Sequence, residues 1–591
     1  MQFRAFKLRF RRRLRRRQHQ VEDLSHQAEV QIERDFFRRL HKFGESWRPI
    51  AAWIVLFIMI IAGLSLQMSS LSGYYRTIAP IPGGTFTEGI LGSFTNANPI
   101  YATSEVDTSV SRLIFSGLFM YDEAGQLRGD LAESYKIDDN GTTYTVTLKP
   151  NVKWQDGKPL TSQDVVFTYQ VIQNPDAQSP LVGSWQGITV AAAGPRTVIF
   201  TLPNPLSSFP YTLTNGILPY HLLKSVPMPD MRSVDFNTLQ PVGSGPFMLR
   251  AISTNNTSAT NAQQKLTLSP YDGYHRGAPK LHDFIIRTFL NKEQLIESYK
   301  HNELTAMIGL ATIPKGLRES DQIHSFPLNA ATMVFFKNSS GILSDAAVRR
   351  ALVLGTDRDA IIRSLGYPAR PVRSPFLQGQ LGYDPNYLQV TFNLAQAKED
   401  LQRAGWQVGK EGIRFKDGQE LRFSLSAPDN DEYASVAKQI AGQWRLLGAD
   451  VRVQIQEPAD FQTTLSTHSY DAVLHGITIG TDPDVFVYWN STQADVRSSN
   501  RLNFSEYKSK VADNALEAGR TRSDPALRVV KYRPFLQAWQ QDAPAVGLYQ
   551  PRFLYITSQT VYGLSERALT ADADRYANVE NWMIRTGQVM N

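Results

Sequence analysis

An uninterrupted run of nineteen uncharged residues, IAAWIVLFIMIIAGLSLQM at positions 50–68, constrains this chain more than any other feature. At 1.5 Å rise per residue, a helix of that length is roughly 28 Å long, about the hydrocarbon thickness of a bilayer. The run is apolar all round, so it does not suit a half-buried helix of a soluble domain. Trp47 and Trp53 stand at one end and Tyr74 and Tyr75 follow the other, as interfacial aromatics do. Residues 1–48 carry 14 Lys+Arg against 6 Asp+Glu, whereas the rest of the 591-residue chain carries 48 against 49. The positive-inside rule then puts residues 1–49 in the cytoplasm and the bulk of the chain outside. A cleaved signal fits poorly, because the lead is 49 residues long and no A-x-A-like site follows closely. The expectation is a signal anchor at 50–68, a Ser/Pro/Gly-bearing linker at 69–84, and an extracytoplasmic region from 85 to 591.

Before the span, six arginines from Arg11 to Arg17 surround Leu14 and read as a solvated tail that would also meet anionic head groups. Val21, Leu24, Ala28, Ile32, Phe36, Leu40 and Phe43 recur at steps of three and four, the stripe of an amphipathic helix. It suits an interfacial or packed helix, or one that docks on a partner. The neutral bulk excludes a nucleic-acid-binding domain, since phosphate binding needs a basic surface. Cysteine is absent, which excludes disulfides, thiolate metal sites, cysteine nucleophiles and a lipid-attached cysteine.

Catalytic patterns are missing. There is no phosphate loop, no G-x-S-x-G elbow and no H-E-x-x-H, and the ten histidines are scattered. His221, His275 and His282 read as structural. Val242–Phe247 (VGSGPF) is glycine-rich, but it ends in Pro-Phe and opens no helix, so it reads as a tight turn rather than a phosphate cradle. No enzyme, cofactor or metal is expected.

Beyond the linker, strand and helix signals mix. Thr143–Leu148 alternates with Tyr144, Val146 and Leu148 on one face, and Thr197–Leu202 does the same with Val198, Phe200 and Leu202. Helices are expected over Asp345–Leu354, over Leu394–Ala404 with a stop at Gly405, and over Tyr433–Leu447 with a stop at Gly448. A strand over Asp450–Gln456 follows the last of these.

Read in order, several motifs resemble the family-5 extracellular solute-binding proteins of ABC importers, the group of oligopeptide-, dipeptide- and nickel-binding proteins. Gly84–Gly89 leading to Asn98-Pro99 is similar to the family's opening strand and turn. Ile114–Phe119 with Tyr121-Asp122, then Leu131–Tyr135 and Asp139–Tyr144, resemble its next segments. Val152–Gly157 and Leu160–Val165 match "VKFHDGxPLTAxDV". Further on, Ile217–Leu222, Val242–Phe247, Tyr274–Leu281, Asp345–Ala360, Lys398–Gly405, Tyr470-Asp471 and Asp482–Asp484 follow the family pattern in order. The chain departs from it at Gly129, where the family has proline, and at Ile479, where peptide-binding members place an aspartate that captures the ligand's free ammonium.

The resemblance implies an α/β, two-lobed fold of the periplasmic-binding-protein type with an accessory domain, here preceded by one transmembrane helix. The first lobe would comprise about 85–112, 195–330 and 545–591, the accessory domain about 113–194, and the second lobe about 331–544. Ligand, a peptide or other small solute such as a metal chelate or sugar, would sit between the lobes and pass to ABC permease subunits. Phe94, Asn96, Trp185, Phe335, Asp482 and Trp489 are the candidate ligand-binding residues. Asp482 or Asp484 would replace the missing aspartate, or the ligand would lack a free N-terminus. The long segment 1–49 motivates a second reading, a membrane-tethered sensor that signals through that segment.

Overall fold

The structure, a computed structural model, describes residues 47–256, 262–409, 411–495, 498 and 501–590. The arginine run and the amphipathic stripe expected within residues 1–46 lie outside these. The chain divides into two units, one formed by the N-terminal part up to Ala79 with residues 586–591, the other by Pro80–Arg585.

In the first unit, a single helix runs Trp47–Tyr75. Its segment Pro49–Met68 has mean hydropathy 2.5, and none of it is buried against protein. The helix continues seven residues beyond the nineteen-residue run, and the strand Arg76–Ile81 follows it directly and pairs with the C-terminal strand Arg585–Met590. Most of the stretch expected as a linker is therefore regular structure. The serines and the lone Gly73 that suggested a linker do not outweigh a helix already nucleated upstream.

The second unit is the two-lobed α/β body. The first lobe holds a seven-stranded mixed sheet in the order Gln322–Pro327, Arg552–Thr557, Ala306–Met307, Thr85–Leu91, Asp283–Phe289, Ala262–Pro270, Phe247–Asn256. The second lobe holds six strands in the order Arg370–Pro371, Ala545–Gln550, Ala330–Phe336, Ala472–Thr478, Arg422–Pro428, Asp450–Gln456. The accessory domain is a four-stranded antiparallel sheet, Ala132–Ile137, Thr143–Leu148, Thr197–Thr201, Thr189–Ala192, packed against the helix Ser162–Gln173.

Two boundaries differ from expectation. Thr197–Thr201, expected in the first lobe, pairs inside the accessory sheet between Thr143–Leu148 and Thr189–Ala192. Ala545–Gln550, also expected in the first lobe, pairs with Ala330–Phe336 in the second. Both strands carry the apolar residues any sheet interior accepts, and only non-local pairing decides which sheet takes them.

Local patterning explains the elements. Tyr144, Val146 and Leu148 are buried on one face, and Val198, Phe200 and Leu202 join the same core. Asp345 caps its helix by accepting a hydrogen bond from the Ala347 amide at 2.8 Å. Asn430 caps Asp431–Arg445 in the same way, and the chain leaves that helix through Gly448 at φ +90°. In the second lobe, alternate residues of Ala330–Phe336 feed two cores. Val334 and Phe336 pack with Trp444 and Ile440 on one face, and Met333 and Phe335 with Trp489 and Trp539 on the other.

The VGSGPF stretch is a turn pressed onto the end of the helix Glu105–Ile114. The Gly245 amide donates to the Ile114 carbonyl at 2.8 Å, and Gln155 spans the turn, accepting from the Gly243 amide and donating to the Phe247 carbonyl. A Cβ on Gly243 would collide with the Ile114 carbonyl oxygen. Gly243→Ala is therefore expected to destabilise the protein by roughly 2–4 kcal/mol through overpacking against rigid backbone, read as a lower chemical-denaturation midpoint.

Candidate ligand cleft

The strands of the two sheets are connected by very short crossovers. Leu328 and Asn329 join Gln322–Pro327 to Ala330–Phe336, and Pro551 alone joins Ala545–Gln550 to Arg552–Thr557. The crossovers lie side by side. The Leu328 amide donates to the Pro551 carbonyl at 3.0 Å, and Gln550 Nε2 donates to the Leu328 carbonyl at 2.8 Å.

Asn329 ties this hinge to both lobes. Its amide donates to the Leu569 carbonyl at 2.7 Å, and its carbonyl accepts from the amides of Ile479 and Gly480 at 2.8 and 3.0 Å. Its Nδ2 donates to the hydroxyls of Thr481 and Thr570 at 3.2 and 3.1 Å, and those two hydroxyls are 3.1 Å apart. Tyr121 lies near Thr570 and Thr481. Burial, then the Asp574 charge, pushes its pKa up to about 12.

Parallel strand pairs set where the cleft opens. Thr85–Leu91 and Asp283–Phe289 run parallel, so the helices that follow them begin at one edge of the first sheet, at Glu105 and Lys292. In the second lobe Arg422–Pro428 and Asp450–Gln456 are parallel, and the helix Asp431–Arg445 begins at the matching edge. Lys292 Nζ lies 3.2 Å from Asp431 Oδ2, so the two carboxyl edges face each other. Crevices outside the carboxyl ends of parallel strands are where open α/β sheets bind ligands.

Glu105 stands at this edge of the first lobe. Burial raises its carboxyl pKa to about 7, and the neighbouring Asp572 and Glu88 add to the rise against the lowering effect of Arg575. Arg575 is itself held by Glu88 at 2.5 Å, both fully buried.

The accessory domain meets the second lobe a few residues beyond the hinge strand. The Ser207 amide and hydroxyl both donate to the Arg520 carbonyl, at 2.9 and 3.0 Å, and the Ser208 hydroxyl donates to Asp484 Oδ2 at 3.2 Å. Arg520 Nη2 holds the same Asp484 oxygen at 2.8 Å. Beside this contact, Asp482 forms a two-pronged pair with Arg528, both bonds 2.6 Å and both side chains about 95% buried. Burial alone would depress the Arg528 guanidinium, but the hydrogen bond and charge of Asp482 outweigh it and hold the pKa up. Tyr211, across the interface, has its phenol raised by burial and then by the Asp482 charge.

The six candidate residues are placed as follows. Asp482 lies in the turn after Ala472–Thr478 and is fully engaged by Arg528. Asp484 is likewise engaged, by Arg520. Phe335 and Trp489 are brought together, 5.6 Å between ring centroids, but inside the second lobe's core with no exposed surface. Trp185 is stacked on Tyr169 at 4.0 Å within the accessory core. Phe94 is buried, with its amide and carbonyl both bonded to Gln264, and Asn96 accepts from the Asn98 amide in a local turn. All three large aromatics are packed into cores, as expected of bulky rings, which gain most by complete burial. Asn329, Tyr121, Ser207, Arg520 and Arg528 escaped the sequence reading, because nothing local marks an asparagine as a hinge or an arginine as an aspartate's distant partner.

Two lobes joined by paired crossovers, with carboxyl edges facing across them, define a hinged binding protein. Residues 126–498 match the family described as bacterial extracellular solute-binding proteins, family 5. The chain belongs to that family. It is similar to the oligopeptide-binding protein AppA of Bacillus subtilis, 26% identical over 548 residues that cover 90% of this chain and 98% of the relative. Among solved structures, AppA from B. subtilis in complex with a nonapeptide matches with TM-score 0.68 and 25% identity, covering 86% of this chain and all of that one. NikZ from Campylobacter jejuni in complex with Ni(L-His) matches with TM-score 0.70 and 25% identity, covering 84% and 99%. Members of this family bind solutes and are not enzymes. The two-lobed fold that the motifs implied is therefore the one the chain adopts.

Two outcomes test the electrostatics of the cleft. Removing one partner of a buried pair strands the other charge, so Asp482→Asn and Arg528→Met are each expected to cost roughly 3–5 kcal/mol. The double variant should be less destabilised than the sum, as a denaturant double-mutant cycle reports. For Glu105, the folded pKa lies above the ordinary 4.5. The folded chain keeps a proton that the unfolded chain releases between those values, so its favourable contribution is complete below 4.5 and is lost as pH rises through about 7. Glu105→Gln is expected to remove that slope, seen as a smaller stability loss than wild type between pH 5 and 8.

Proposed function

We propose that this protein captures peptides or similar small solutes outside the membrane and delivers them to the permease subunits of an ABC importer. The observation that carries the reading is the facing pair of carboxyl edges on a short, fully hydrogen-bonded hinge, which brackets one solute between two lobes. The relatives support the class of solute: AppA is named for oligopeptides, and NikZ was solved with a nickel–histidine chelate. Residues 50–68 hold the domain at the membrane as an uncleaved anchor, with residues 1–49 in the cytoplasm. The motive is the uncovered apolar helix preceded by the +8 segment. An uncovered apolar surface of that length is stable in lipid and not in water.

Recognition of a free N-terminus is not expected to decide binding. Ile479 is apolar, and both nearby aspartates already hold arginines. An unpaired buried ammonium would cost several kcal/mol, so a peptide bound amine-first at this strand would be weak. Calorimetry on the full chain should compare a peptide with a free N-terminus and its acetylated twin. Affinities within about threefold are expected. Loss of two or more decades on acetylation would show that ammonium capture operates from another carboxylate in the cleft. Protease supplied at the outer face of the membrane should remove the large domain and leave a small protected N-terminal fragment, whereas protection of the whole chain would sink the anchor.

A further inference from the structure

The chain passes between its two units twice, at Ala79–Pro80 and again at Arg585–Thr586. A simple tether needs one crossing. The helix Trp47–Tyr75 runs without a break into the strand Arg76–Ile81, and the strand Arg585–Met590 leaves the body and pairs with it. The two crossings are therefore hydrogen-bonded to each other. Lys280 staples their roots inside the body. Its carbonyl accepts from the Gly83 amide at 2.7 Å, and its amide donates to the Glu580 carbonyl at 3.0 Å. The Gly84 carbonyl accepts from the His282 amide at 3.0 Å, and Met583 exchanges both backbone hydrogen bonds with Tyr562, at 2.9 and 3.0 Å. Ile584 and Arg585 lie against Gly83 and Gly84, so close that a Cβ on Gly84 would meet Ile584 Cδ1 at 3.0 Å. Beyond these roots, no described side chain in either strand is buried, and Ile78 is 77% exposed. An isolated two-stranded ribbon is marginal in water. Here the roots already hold the strands side by side, so little further loop closure opposes the pairing.

We propose that the strand Arg585–Met590 is a strap: paired with the strand that leaves the anchor, it stiffens the connection, so that the body offers its solute to a permease within reach of its own anchor instead of swinging on a single backbone thread. The proposal rests on the anchored-delivery reading above and adds how delivery is directed. A lone six-residue segment turns about two soft dihedrals per residue, whereas a hydrogen-bonded pair of strands moves as one ribbon. The strap completes no core, so its effect falls on the connection. Effective concentration at a partner is greatest when the span matches the distance between the sites and falls as a flexible linker lengthens. A stiff connection thus commits one binding body to one partner.

The test uses the full chain in lipid vesicles, with an N-acetylated pentaalanine peptide as the probe for binding and for uptake by cells. The chain has no cysteine, so Ile78→Cys gives one site for a spin label on an exposed position. The label should move slowly in the full chain. Ending the chain at Arg585 should free it. So should one of two proline pairs, Thr586→Pro with Gln588→Pro or Gly587→Pro with Val589→Pro, because alternate amides of a strand face its partner. Each freed variant should keep the peptide affinity within about twofold, since residues 586–591 lie outside the body, and should lose at least about fivefold in uptake. Six Gly/Ser residues inserted between Tyr75 and Arg76 loosen the joint without touching the pair, and should lower uptake by a similar factor while the label stays slow. A label that stays slow without the strap, or wild-type uptake from any loosened chain, would overturn the strap and leave capture and delivery intact. Loss of peptide affinity on truncation would also overturn it, by making the strand part of the body's fold. Absence of binding or uptake in the wild type, with the label slow, would overturn the delivery reading and the strap's role with it.

Discussion

Asn329 connects the two lobes through its backbone amide, its backbone carbonyl and its side-chain Nδ2. Its amide and one amide hydrogen of its side chain go to the first lobe at Leu569 and Thr570. Its carbonyl and the other go to the second lobe at Ile479, Gly480 and Thr481. A crossover this short has no slack to satisfy its backbone elsewhere, and buried amides left unpaired are costly. The hinge therefore cannot lengthen or slip in register. What remains is rotation about two adjacent strands, a motion that swings the distal walls toward each other while leaving these bonds nearly unchanged. The turn 479–484 that follows the strand Ala472–Thr478 begins on the hinge asparagine itself, so its position and the hinge angle share the same few bonds.

That mechanical picture was only partly legible in the sequence. Alternation in Thr143–Leu148 and the helical stripe through Ala437, Ile440 and Trp444 are local, and side chains of fixed period dictate their own faces. Sheet membership is not local. Thr197–Thr201 and Ala545–Gln550 have no residue that distinguishes one sheet's interior from another's, and each went to the neighbour that completed its hydrogen bonds. The ordered motifs carried the family, because many weak matches in one order are jointly specific even when each is not.

The site was less legible than the fold for a physical reason. Aromatic residues line clefts and fill cores by the same apolar gain, so Trp185, Phe335 and Trp489 read alike from sequence whether they touch a ligand or a neighbour. The structure separates them through partners. Phe335 faces the core it shares with Trp489 of the short helix Phe486–Trp489 because its strand alternates, and the residues that flank it, Val334 and Phe336, serve the opposite core. Conversely, Arg528 sits 46 residues from Asp482 on a helix whose sequence gives no hint of it, and the pair is visible only once that helix packs behind the cleft strand.

Charge at the cleft floor follows from this arrangement. Asp482 and Asp484 precede and follow Pro483, and the loop they form would carry two negative charges facing the accessory domain if nothing opposed them. Arg528 and Arg520 come from two different helices, Pro525–Asp542 and Lys510–Arg520, and neutralise one aspartate each. The buried Arg528–Asp482 pair contributes little net stability, but its two parallel hydrogen bonds fix the carboxylate's orientation, while Arg520 holds Asp484 through Nη2 alone. The loop is thereby rigid and nearly neutral before any solute arrives. A solute that meets it would gain from shape rather than from a waiting counter-charge. Selection by charge would then have to come from the opposite wall, where Glu105 and Asp572 share a single arginine with Glu88 and where burial and mutual repulsion keep the Glu105 proton bound near neutral pH. At that wall a cationic group would compete with the Glu105 proton, so its affinity would rise as pH climbs through about 7.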